Sequence, residues 1–159
     1  MKSSTLPRGL PAKVIRAIFK AVELLLLNRQ SEVQQLHDKL EALARETGIA
    51  PEHLHKVQLS AEEYVTNVFK YAFDQQGEHQ VKVRLQLENG ELSLEFEDEG
   101  RPFNLLEYPT PDLTVPLDQR PIGGLGIHMI RQSMDQVAYC RKAGKNIVVM
   151  TRRVRTATP

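Results

Sequence analysis

Apolar residues along this chain repeat with two different periods, and the points where the period changes mark its elements. Ala21 to Asn28 reads as a strand around the run Leu24-Leu25-Leu26-Leu27. Val33, Leu36, Leu40, Leu43 and Ala44 then recur at helical spacing, from a cap at Ser31 to about Thr47, with Gly48 as the stop. Pro51 at a first helical position and Glu52 in the first turn open a second helix. Leu54, Val57 and Leu59 continue it to about Phe73, with a local kink or new cap at Ser60. From Gln80 the period drops to two. Val81, Val83, Leu85 and Leu87 alternate with polar residues, Asn89-Gly90 signals a tight hairpin, and Leu92, Leu94 and Phe96 alternate on the way back. Residues 101–122 hold five prolines and no period, a long loop of the kind that often serves as a lid. A third helix is expected from about Gly124 to Met134, then a hairpin of Val137–Arg141 and Asn146–Arg153 across Ala143-Gly144-Lys145. This order, β-α-α-β-β-lid-α-β-β, predicts an α+β fold, a two-layer α/β sandwich with helices on one face of a mixed, mostly antiparallel sheet. Residues 1–18 read as an N-terminal tail, helical in part from Ala12, residues 19–155 as one domain, and 156–159 as a C-terminal tail.

Composition adds exclusions. The 159 residues are 41% hydrophobic and 26% charged, the profile of one ordinary globular domain. A formal net charge of +1 gives no basic field for holding nucleic acid or an anionic membrane. The longest apolar run is far shorter than the roughly 20 residues that span a bilayer. Arg16, Lys20 and Glu23 interrupt any signal-peptide-like core, so the chain reads as neither exported nor membrane-spanning. A lone cysteine, Cys140, excludes an internal disulfide and fits a reducing cytoplasm; its apolar, strand-like surroundings point to a buried structural thiol.

Three stretches carry candidate chemistry. Glu63, Asn67 and Tyr71 recur every four residues, one stripe along the edge of the second helix's buried face. Asn67 offers a neutral oxygen to a hard cation such as Mg²⁺, and Glu63, one turn away, is a base for a water or hydroxyl attacking a phosphate. Asp98 leaves a strand next to Gly100; its carboxylate can accept from an exocyclic amine while the glycine lets a flat ring approach the backbone. Gly123-Gly124-Leu125-Gly126 leads into a helix, whose free N–H groups bind anions. No Gly-Lys-Ser/Thr follows, so this is not a P-loop, and Met129 occupies the third glycine of a dinucleotide fingerprint. Taken singly, the stretches read as an ordinary solvated face, an acidic turn and a hinge. Other groups are weaker: His53 and His55 face different directions, His37 and His128 stand alone, and Arg152, Arg153 and Arg155 read as a solvated basic tail.

Together, in this order and with these gaps, the three stretches resemble the N-box, G1-box and G2-box of the GHKL ATP-binding (Bergerat) fold. The likeness is greatest to the anti-sigma-factor serine-protein kinases, the RsbW-like branch, and runs from about residue 21 to 154. Met134-Asp135-Gln136-Val137 is similar to that branch's Met-Asp-Glu-Val segment. Carried over by position, the resemblance implies Glu63 as general base, Asn67 as Mg²⁺ ligand and Asp98 as adenine contact. Gly100, Phe103, Gly124, Leu125 and Gly126 would complete the ATP contacts, with Arg120 reaching the γ-phosphate. Tyr71 stands where many relatives have His, and Asn104 where an Asp often follows the Phe. Ile147-Val148 stands where some relatives place a Thr beside the adenine, which removes one expected hydrogen bond. The implied function is a cytoplasmic anti-sigma factor with serine/threonine protein kinase activity. It would sequester a sigma factor, phosphorylate a small antagonist protein, use ATP and Mg²⁺, and form a homodimer. A non-catalytic ATP-gated binding module and a small ATPase are the alternatives. Glu63 favours the kinase, because a pure binder has no use for a base.

Overall fold

In the computed structural model, residues 19–74, 77–120 and 124–156 are described. The expected N-terminal tail and Gly123, at the head of the glycine run, lie outside them. Strand β1 (Phe19–Leu27) precedes two long helices, α1 (Gln30–Thr47) and α2 (Pro51–Tyr71). A hairpin of β2 (Gln80–Glu88) and β3 (Glu91–Asp98) follows, then the long loop, α3 (Leu125–Ser133), and a hairpin of β4 (Gln136–Lys142) and β5 (Lys145–Arg153). The strands form one sheet in the order β1-β2-β3-β5-β4, and all four pairings are antiparallel. The expected mixed, mostly antiparallel sheet thus has no parallel pair among the described residues. The last hairpin reaches β3 by laying β5, not β4, against it.

Local chemistry explains the boundaries. Gly48 ends α1 at φ +72°, the left-handed conformation that glycine adopts without strain. The start of α1 differs from expectation. Arg29, in extended conformation, takes the cap position, and Ser31 lies inside the helix. Glu32 supplies the closure instead, its carboxylate accepting from the Leu27 N–H at 3.3 Å. Pro51 opens α2 at its first turn, and the helix passes Ser60 unbroken, the buried hydroxyl satisfied by donating to the Lys56 carbonyl at 2.9 Å. Asn89 and Gly90 both have positive φ, as a type I′ turn requires, and Ala143-Gly144 repeats the geometry.

The core lies between the helices and one face of the sheet. Leu36, Leu40 and Leu43 of α1 and Val57, Ala61, Tyr64 and Val68 of α2 pack on Val83, Leu85, Leu94, Phe96, Val148 and Met150. Each of the Leu, Val, Phe and Met side chains, fully buried, contributes about 1.5–3 kcal/mol. The opposite face carries ion pairs: Arg84 with Glu23 at 3.1 Å, Lys82 with Glu23 at 3.2 Å, and Lys145 with Glu97 at 2.6 Å. Cys140 lies on this opposite face and is exposed, which corrects the expected buried thiol. The alternation of β4 turns Val137 and Tyr139 toward the core and leaves Cys140 outside, paired with Ile147. Arg152 also departs from the solvated tail. It is half-buried, donating to the Ser133 carbonyl and, at 3.2 Å, to His53 Nδ1. Among the described residues no helix is long and apolar enough to cross a membrane.

One register row bears on the site. Leu26, Val81, Asp98, Asn146 and Arg141 are successive cross-strand partners, one from each strand. The row is apolar at β1 and β2 and turns polar at β3, where Asp98 ends the strand.

Candidate functional site

The site is built between α2, the end of β3, the loop that follows it, and the start of α3. Glu63 and Asn67 are half-buried one turn apart on α2, while Tyr71, the next in the stripe, is 54% exposed. Glu63 and Gly126 come together: a Cβ on Gly126 would lie 2.1 Å from Glu63 Oε2 and 2.9 Å from its Cδ. A side chain at 126 would push the Glu63 carboxylate aside, and glycine lets the first turn of α3 lie against it. Gly124 caps α3 at φ +83°, with open space where a side chain would be. Leu125 beside it is 46% exposed. The arrangement leaves the N–H groups of the first turn of α3 next to a candidate base, a suitable place for a phosphate.

Asp98 forms the opposite end. It is only 2% exposed. Its Oδ1 accepts from the Gly100 N–H and from Asn146 Nδ2, both at 2.9 Å, whereas the buried Oδ2 has no partner among the described residues. Burial pushes the carboxyl above its ordinary pKa, and the bonds from Asn146 and Gly100 and the charge of Arg141 counter part of that rise. A buried carboxylate oxygen left free in this way fits a ligand with an amine to donate, such as a purine. Gly100 allows a close approach within the fold itself. A side chain there would meet the Ala72 carbonyl at 2.6 Å and Cβ at 2.7 Å, so the glycine lets the loop cross the end of α2. The Arg101 N–H donates to that same carbonyl at 2.7 Å.

Asn146 organises this end and was not singled out from the sequence. Its Nδ2 donates to Asp98 and, at 2.8 Å, to the Arg101 carbonyl. Its Oδ1 accepts from the Phe103 N–H at 3.3 Å, Tyr139 OH at 2.9 Å and Arg141 Nη1 at 2.8 Å. Asn146 thus holds Asp98 from the position just before Ile147-Val148. The available signal was an amide on the inward side of an otherwise apolar alternation, Asn146-Val148-Met150. Tyr64 packs in the core, with its ring 4.9 Å from that of Phe96 and 6.4 Å from that of Phe103, and its buried hydroxyl has no partner among the described residues.

The long loop has two halves. Phe103 and Leu105 are buried, and Arg131 of α3 donates to the Leu105 and Leu106 carbonyls at 2.8 and 2.7 Å. Beyond Tyr108, hydrogen bonds to described residues run within the loop itself. Asp112 accepts from the Thr114 N–H and hydroxyl, and Arg120 donates to the Val115 and Leu113 carbonyls at 2.7 and 2.9 Å. The guanidinium expected at a γ-phosphate is here turned into its own loop. No group of three or more His, Cys, Asp or Glu among the described residues is placed to hold a metal ion. A groove of about 740 Å³ opens at the strand ends, shared with Asp98 and Gly100 but walled by Leu25, Lys82, Glu97 and Lys145. Those four belong to the helix-free face, so the groove is separate from the Glu63–Gly126 contact.

Comparison with known proteins agrees with this architecture. The model of the histidine kinase-like ATPase domain family matches residues 26–152. The serine/threonine-protein kinase BtrW of Bordetella bronchiseptica is 28% identical over 93 residues, which cover 58% of this chain and 66% of that protein. The serine-protein kinase RsbW of Listeria monocytogenes is 27% identical over 114 residues, 69% of this chain and 73% of that one. The crystal structure of the RsbU and RsbW domains of a Mycobacterium tuberculosis protein superposes with a TM-score of 0.59 at 17% identity, covering 87% of this chain and 33% of that chain. That last likeness concerns the fold. With a family match over most of its length and RsbW-like serine-protein kinases among its relatives, the chain belongs to the histidine kinase-like ATPase domain family.

Proposed function

We propose that this protein is an ATP-dependent serine/threonine protein kinase and anti-sigma factor of the cytoplasm. It sequesters a sigma factor, phosphorylates a small antagonist of that sequestration, and works as a homodimer. The observation that carries the kinase reading is the seating of Glu63 on Gly126, which joins a base to an anion-binding helix start. The kinase names of the curated relatives support the same chemistry. Asp98 Oδ2 would hold the adenine amine, Asn67 the Mg²⁺ ion, and the start of α3 at Gly124, Leu125 and Gly126 the phosphates. Gly100 and Phe103 shape the base end, and Arg120 approaches the γ-phosphate when its loop rearranges. Bound ATP–Mg²⁺ supplies the transferable phosphoryl group and neutralises its charge. Glu63 takes the proton of the serine or threonine hydroxyl as it attacks, and Asp98 and the buried half of the loop hold the base still.

The test is transfer from radiolabelled ATP to the purified antagonist. Glu63→Gln keeps shape and hydrogen bonding but removes basicity, so transfer should fall about 10²–10⁴-fold while ATP and sigma-factor binding persist. A wild-type protein that binds ATP and its partner yet transfers no phosphate would replace this reading with an ATP-gated binding module. Release of free phosphate at the same rate with and without antagonist would point to a small ATPase.

A further inference from the structure

Two buried polar atoms at the base end have no partner among the described residues, and they are complementary. Asp98 Oδ2 can only accept when the carboxyl is ionised; the Tyr64 hydroxyl can donate. Asp98 and Phe96 share the inward face of β3, and the Tyr64 ring lies tilted against Phe96 at 4.9 Å. Tyr64 is 1% exposed, and burial first, then the charge of Asp98, raises the phenol well above its ordinary pKa. A phenylalanine would fill the same core space without burying an unpaired hydroxyl, which costs stability. Asp98 cannot turn to relieve this, because Gly100 and Asn146 hold its other oxygen.

We propose that Tyr64 is a second base-reading residue, its hydroxyl donating to the ring N1 of adenine while Asp98 Oδ2 accepts from the neighbouring exocyclic amine. The inference rests on the reading of this site as an ATP site. An acceptor beside a donor matches adenine's edge, which presents an amine hydrogen next to a bare ring nitrogen. Guanine presents the reverse order, a carbonyl oxygen next to N1–H, and so meets a mismatch at both positions. Specificity is thereby written twice, once by a carboxylate and once by a phenol on a different element.

The experiment is calorimetric titration of the full chain and its Tyr64→Phe variant with ATP and with 1-deaza-ATP, the analogue lacking ring N1. Wild type should prefer ATP by about five- to tenfold, the worth of one net hydrogen bond. Tyr64→Phe should bind both nucleotides equally, at the wild-type level for the analogue. Its ligand-free form should melt at or above the wild-type temperature, since an unpaired buried hydroxyl has been removed. A variant that keeps the wild-type preference for ATP overturns the role of Tyr64 alone. Wild type that binds neither nucleotide overturns the ATP reading and this inference with it. A ligand-free variant melting well below wild type shows the hydroxyl already partnered, and also overturns it.

Discussion

The two ends of the site are built in opposite ways. At the base end, Asp98 and Asn146 are buried and joined by hydrogen bonds to Gly100, Arg101, Phe103, Tyr139 and Arg141. At the phosphate end, Glu63 and Asn67 are half-buried, and glycines at 124 and 126 provide approach rather than contact. Recognition of a flat base rewards groups fixed in advance in a water-poor setting. Handling a mobile, highly charged group rewards space and backbone N–H groups that can be approached closely. The difference implies that the ends can be damaged separately.

Gly126→Ala should have the largest effect. The new methyl displaces the Glu63 carboxylate, and phosphate transfer should fall about 10²–10⁴-fold, with ATP affinity held by the other end. Transfer rate and nucleotide affinity measured on the same preparation decide it; equal losses in both would erase the distinction between the ends. Asp98→Asn comes next. It replaces a pure acceptor by a mixed group, and ATP affinity should drop about tenfold or more, GTP less. Equal affinity for ATP in wild type and variant would remove the adenine assignment.

Asn146→Ala strips partners from Asp98, the Phe103 N–H and Arg141 together, so thermal unfolding should reveal a loss of about 1–3 kcal/mol or more. Leu125→Ala, on the exposed start of α3, should stay within about 0.5 kcal/mol. Similar losses at the two positions would contradict the contrast in rigidity. The smallest effect concerns pH. Burial raises the folded-state pKa of Asp98 above its unfolded value, so in that window the native state binds more protons than the unfolded chain. This contribution to stability is complete at low pH and is lost as pH rises from the ordinary carboxylate range through the raised value. The melting temperature of wild type relative to Asp98→Asn should therefore decline with rising pH. A constant difference would show that burial does not set the titration of Asp98.

The elements were legible because they follow from periodicity and from Gly48, Pro51 and Asn89-Gly90, all local signals. Cys140 was misplaced because an apolar neighbourhood does not reveal which face of an edge strand a residue takes; only the register of β4 on β5 does that. Asn146 escaped notice for the same reason. Its importance comes from lying opposite Asp98, 48 residues earlier in the chain. The proximity of Glu63 and Gly126 depends on how two helices meet, and no spacing within either motif encodes it. Ser31 was displaced as a cap because Glu32 reached the end of β1 from within the helix.

The row Leu26–Val81–Asp98–Asn146–Arg141 limits how the gene can change length. Because side chains alternate between faces, one codon inserted within β3 or β5 would send Asp98 or Asn146 to the opposite face of the sheet. A pair of inserted codons would keep the face but move the two residues off a common row. Length variation should therefore be tolerated in the outer half of the long loop, where hydrogen bonds to described residues stay within the loop, and refused along the strands that align these five positions.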